Sequence, residues 1–136
     1  MTDFKYRCCG KGATITIIKS EYELLFGGYT SLSWRDGHEY ETDLNEPFIF
    51  SLNKKSQHFN YTKDNSIFVY STYGFGNGDI CISNNSNLNS DSYSSLGSGY
   101  DAPKGQAKGS KKAKSYLAGS HKFRVLEVEI YSIKFN

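Results

Sequence analysis

Proline is almost missing from this chain of 136 residues: it occurs only at Pro47 and Pro103, against 13 glycines. Methionine and tryptophan occur once each. No apolar run is long enough for a membrane span, and the opening "MTDFKYRCCG" lacks the apolar core of a secretory signal. The expectation is a cytoplasmic protein. Cysteine is scarce, at Cys8, Cys9 and Cys81. An odd number with two adjacent fits free thiols in a reducing compartment. The paired short spacing of a zinc site is missing, and His38, His58 and His121 are scattered, so neither a metal nor a cofactor is expected. An excess of one charge is missing too: the formal net charge is +2, too balanced to imply nucleic acid.

What the chain has in quantity is aromatic residues, eleven Tyr and nine Phe. With the many glycines and no amphipathic helix of any length, they point to a single mainly β domain over residues 1–136. "ATITIIK" (Ala13–Lys19) reads as a strand rich in β-branched residues, and "LLFGGYTSLSW" as its antiparallel partner. The Gly27–Gly28 pair inside that partner predicts a bulge, or a place where another backbone or a large ring comes close. Arg35–Glu46 is a charged excursion. "FIFSL" reads as an interior strand, "SIFVYS" and "GDICIS" as two more, and His121–Phe135 as the longest strand signal. The Ser/Asn-rich stretch Ser83–Gly99 has the composition of a linker. Leu88, Tyr93, Leu96 and Tyr100 recur through and beyond it, however, and Asn and Ser build ordered turns from local hydrogen bonds, so it reads as a long ordered loop. Lys104–Lys114 carries lysines and glycines without apolar anchors and reads as a mobile loop.

Several motifs suggest chemistry and are outweighed. "GFGNG" would need to open a helix to cradle a phosphate, and a strand follows it instead. Glu127 and Glu129 share one face of a strand, but sequence does not bring them into reach of Asp79 or Asp91, and solvated charge is the default. The lone Trp34 is better read as core packing than as an exposed partner surface. Lys5, Arg7 and Lys11 flank Cys8 and Cys9, which would favour a reactive thiolate, although scavenging by a thiol is not enzymatic catalysis. The lysine-rich loop lacks aromatics for base stacking, so no nucleic-acid partner is expected.

Five segments in order carry a family resemblance: "GKGATITIIKS", "FGGYTSLSW", "FIFSL", "YGFGNGDICISNNSNLNSDSYSSLGSGYDAP" and "YLAGSHKFRVLEVEIYSI". Together they resemble the TLDc domain, the TBC/LysM-associated family of oxidation-resistance proteins. The resemblance implies a two-sheet antiparallel β-sandwich with long ordered loops and short peripheral helices. It also implies association with the V1 sector of the vacuolar proton-pumping ATPase and a contribution to oxidative-stress resistance. It carries over no catalytic mechanism, so a non-enzymatic binding module is the primary expectation. A peroxide-reactive protein using Cys8 or Cys81 and a carbohydrate-binding sandwich with Tyr- and Asn-rich loops are the alternatives. Gly27, Gly28, Trp34, Gly74, Gly97 and Gly119 are the expected structural determinants of the binding platform. TLDc domains usually carry a further helix and strand upstream of the position of Phe4, so this one reads as N-terminally shortened. A shortened sandwich predicts self-association through an uncovered strand, either Ala13–Lys19 or His121–Phe135.

Overall fold

The computed structural model describes residues 10–35, 39–69, 73–75 and 79–134. Eleven strands and one short helix occupy them: β1 (Thr14–Ser20), β2 (Leu25–Thr30), β3 (Glu39–Glu41), β4 (Phe48–Ser51), β5 (Ser56–Phe59), β6 (Ile67–Val69), β7 (Tyr73–Phe75), β8 (Ile80–Ile82), β9 (Ser92–Ser94), α1 (Lys111–Ser115), β10 (Lys122–Phe123) and β11 (Val125–Ser132). They form two antiparallel sheets, β11-β1-β2-β4-β5 and β10-β9-β8-β7-β6-β3. The fold is the expected β-sandwich.

Alternation along β1 sets the first sheet. Thr14, Thr16, Ile18 and Ser20 are buried, while Ile15, Ile17 and Lys19 are half-buried on the other face. Phe26 and Ile49, brought beside Ile18 through β2 and β4, extend the inward face. The second sheet answers with Ile67, Val69, Ile80, Ile82 and Phe123, and these residues form one core cluster. Phe26 meets Phe123 edge to face across it, with ring centroids 5.5 Å apart. Burying one such side chain contributes about 1.5–3 kcal/mol.

Three expectations change and one is narrowed. The partner strand of β1 stops at Thr30 instead of running on to Trp34, because Asp43 captures the turn. Its Oδ2 accepts from Thr30 Oγ1 (2.8 Å) and Ser31 N–H (2.7 Å), and its Oδ1 from Ser31 Oγ (2.5 Å) and Asn45 N–H (2.9 Å). Of the bulge or close approach expected at Gly27–Gly28 the structure has the close approach, of the Thr16 main chain and the Phe50 ring on Gly27, and β1 and β2 pair there without a register shift; the shift lies between Lys19 and Ser20, against β11. The single strand expected at His121–Phe135 is broken at Arg124. Phe123 and Val125 are both buried, but β10 pairs with β9 in one sheet and β11 with β1 in the other. The uncovered strand is not Ala13–Lys19: β1 lies between β11 and β2, and β11 is the edge.

The Ser/Asn-rich stretch is built from turns around β9. Leu96 and Tyr100 are fully buried, while Leu88 is 78% exposed and anchors nothing. The lysine-rich stretch does have an apolar anchor. Ser110 caps α1 by accepting from Ala113 N–H, and the Ala113 side chain is fully buried. We propose mobility for the lysine-rich loop chiefly before that cap. Limited trypsin digestion is expected to cut after Lys104 or Lys108 before it cuts after Lys111, Lys112 or Lys114; the opposite order would overturn it.

Candidate functional site: a loop platform hung on Asp79

Asp79 sits immediately before β8, fully buried. The chain from Ser95 to Tyr100 folds over it so that one carboxylate oxygen, Oδ2, accepts the N–H groups of Gly97 (3.1 Å), Ser98 (3.1 Å) and Tyr100 (3.2 Å). Gly97 makes this wrap possible, with φ at +111°, a region that side chains rarely adopt. The loop closes on itself where Ser95 C=O accepts from Ser98 N–H and Oγ. Tyr100 then plunges into the core, its hydroxyl donating to Ser66 C=O at 2.7 Å. From outside, the Tyr61 hydroxyl donates to Gly97 C=O (2.7 Å) and the Asn60 amide to Gly99 C=O (2.8 Å).

The electrostatics follow from this enclosure. Burial pushes the Asp79 carboxyl up to about 6, against the pull of the backbone N–H groups of Tyr100, Gly97, Gly99 and Ser98. Among the described residues its Oδ1 is buried without a hydrogen-bond partner. The Tyr100 hydroxyl is pushed far up by burial and by the charges of Asp79 and Asp43. Asp43 goes the other way: burial alone would raise its carboxyl, but hydrogen bonds from Ser31, Asn45 and Thr30 hold it below its usual value. Both carboxylates are fasteners, with no lone pair turned to solvent on Asp79.

Two further groups flank the platform. His58, 4% exposed, sets its Nδ1 against Asp101 C=O at 3.0 Å. A carbonyl only accepts, so Nδ1 carries the proton and Nε2 accepts from Ser56 Oγ at 2.9 Å. Tyr116 donates its hydroxyl to the same Ser56 oxygen, and Lys54 lies 4.3 Å over the Tyr116 ring. This chain of contacts ties β5 to the loop and to the helical turn. On the other side an open cleft of about 480 Å³ is lined by Asp91, Tyr93, Ser95, Ser98, Lys114, His121 and Lys122. Among the described residues, no group of three or more His, Cys, Asp or Glu is placed to hold a metal ion.

The six residues singled out from sequence lie in different parts of the frame. Gly27 is at the centre of the first sheet, where a Cβ would fall 1.8 Å from Thr16 O and 3.1 Å from the Phe50 ring. Gly28 faces inward beside Thr16 and Ile49. Trp34 is 1% exposed and donates its indole N–H to Thr14 Oγ1 at 3.1 Å. Gly74 pairs with Phe68 and Cys81 in the second sheet. Gly97 belongs to the Asp79 loop, and Gly119, at φ +96°, lets Tyr22 pack against it. Cys81 is half-buried on β8 opposite Tyr93, whereas Cys8, Cys9, His38, Gly76 and Gly78 lie outside the described residues. Asp79 itself was visible in sequence only as one acid among several, because its partners are backbone N–H groups that have no residue signature.

A family model described as the TLDc domain matches residues 1–134. The chain belongs to the TLDc family. TLDc domains are in general protein-interaction modules rather than enzymes, and the two-sheet architecture with its loop platform belongs to this TLDc domain as a whole. No curated protein matches the chain. No helix among the described residues of the TLDc domain is long and apolar enough to cross a membrane.

Proposed function

We propose that this TLDc domain is a non-enzymatic binding module of the cytoplasm that associates with the V1 sector of the vacuolar proton-pumping ATPase and contributes to oxidative-stress resistance. The observation that carries the reading, beside the family itself, is where the platform's ionisable groups point. Asp79 and Asp43 are turned inward onto backbone and hydroxyl donors, and His58 is buried between Ser56 and Asp101. The loops present shape and hydrogen-bonding groups to a partner, with the reactive groups held inside. Gly27, Gly28, Trp34, Gly74, Gly97 and Gly119 act in this reading as the residues that give the platform its form.

Affinity capture from cytosol with the tagged chain, read by mass spectrometry, is expected to enrich V1 subunits over a control bait. Capture without V1 subunits would overturn the partner. The thiol alternative is expected to fail its own test: Cys8→Ser and Cys81→Ser should each leave peroxide consumption unchanged, and Cys81 is half-buried with Tyr93 as its cross-strand neighbour. Loss of consumption on either substitution would restore it.

A further inference from the structure

Among the described residues no strand pairs with the outer edge of β11. Its hydrogen bonds to β1 fall on the pairs that continue from Ile133 N–H to Ala13 C=O, so Tyr131, Glu129 and Glu127 turn their main chain toward β1. Val128 and Ile130, between them, turn theirs away from the sheet, and neither makes a backbone hydrogen bond among the described residues. The side chains alternate accordingly. Glu127, Glu129 and Tyr131 lie on the outer face beside Lys19, Ile17 and Ile15, and Val128 and Ile130 on the inner face beside Ile18 and Thr16. Leu126, Val128 and Tyr131 are 42%, 36% and 52% exposed. Neither glutamate has an ion-pair partner among the described residues. A long open edge with apolar side chains is an unstable thing for a soluble sheet to carry, and it is ordinarily covered, blunted or used.

We propose that the β11 edge is a docking site for an extended segment of a partner protein in which basic and apolar residues alternate, adding a sixth strand to the five-stranded sheet. The main-chain groups of Val128 and Ile130 would supply the ladder. Basic side chains of the incoming strand stand across from Glu127 and Glu129, and its apolar side chains across from Val128 and Ile130. Charge selects the partner. A second copy pairing its own β11 about a two-fold axis sets no basic residue across from Glu127 or Glu129 in any register, and with the axis at Val128 it sets one glutamate against the other, like charges that are destabilising when directly opposite. The inference rests on β11 alone, so it stands or falls separately from the V1 reading.

The test uses the whole chain and two short fluorescent peptides, one alternating Lys with Val and one alternating Glu with Val, followed by anisotropy. The Lys peptide is expected to bind about tenfold tighter at low salt, with the margin shrinking as salt rises. Glu127→Lys with Glu129→Lys is expected to reverse the preference. Val128→Pro removes a donor that points away from β1, and is expected to abolish binding while the thermal transition is retained. A Lys peptide methylated on alternate backbone nitrogens should also fail to bind, a reading that needs no variant to fold. Equal binding of both peptides, or none, overturns the proposal. So does a stable dimer by light scattering that Val128→Pro converts to monomer, since that assigns the edge to a second copy.

Discussion

Gly27→Val is expected to destabilise the domain by about 3 kcal/mol or more, lowering the melting temperature by roughly 10 °C. A Cβ at this position falls 1.8 Å from the carbonyl oxygen of Thr16, a distance no real contact reaches. The obstacle is main chain, and it belongs to β1, which is held on both sides by β11 and β2. Nor can the side chain swing away, because the Phe50 ring already lies 3.1 Å off. Gly27→Ala is expected to show most of the effect. Gly28→Val, pressing into the interior beside Ile49, is expected to cost about 1–3 kcal/mol. Gly10→Ala provides the contrast: its φ of +70° is strained, but nothing lies within 4 Å, so the loss is expected to be near 1 kcal/mol. Calorimetry on the four variants decides it, and a Gly27→Ala protein that melts like the parent would remove the close approach of β1 and β2 from the account.

Asp79→Ala is expected to cost roughly 3–5 kcal/mol at neutral pH, since the N–H groups of Gly97, Ser98 and Tyr100 lose their common acceptor. The pH dependence identifies the cause. Burial raises the Asp79 carboxyl to about 6 in the folded chain, against an ordinary value of 3.8. Between those values the folded state binds the extra proton and the unfolded state does not, so stability falls as pH rises through the window. The total change is about 3 kcal/mol. Asp43 contributes with the opposite sign: its carboxyl is held low, so its contribution is present above 3.8 and is lost as pH falls through the folded value. Chemical denaturation of the parent from pH 4 to pH 7 should show the Asp79 slope, and Asp79→Ala should flatten it. An unchanged slope in the variant would mean that another group titrates there.

The parts of this fold that were legible in sequence are those where one residue's chemistry decides its place. β-branched residues marked Ala13–Lys19, one residue off the strand Thr14–Ser20, and the apolar run "FIFSL" marked Phe48–Ser51. Tyr100 and Leu96 announced an ordered loop because a linker has no use for them. What escaped depends on relations between distant backbones. Phe123 and Val125 have the same parity in sequence, and nothing local shows that they enter the core from opposite sheets. β3 and β9, "EYE" and "SYS", have little strand character of their own and exist because β6 and β8 offer them ladders. The helix escaped because lysines hide its one buried alanine, although Ser110 was a legible cap. Of the Asp79 loop, Gly97 could be singled out in sequence and the carboxylate it folds over could not.

The pairing of β1 with β11 also has a temporal consequence. Ribosomes deliver β1 before the other described strands, yet one of its two ladders must wait for residues as late as Ser132. Until then Ile18 can gain Phe26 and Ile49 but has no covering on the side that Val128 later supplies. Contacts this distant along the chain make folding slow, and a nascent sheet with one flank bare is the kind of intermediate that chaperones bind. Because β10 precedes β11 by a single residue, the segment from Lys122 to Ser132 completes both sheets almost together. Synthesis of this domain therefore ends in a late, concerted closure, and arrest of translation shortly before Arg124 would leave a chain with neither sheet finished.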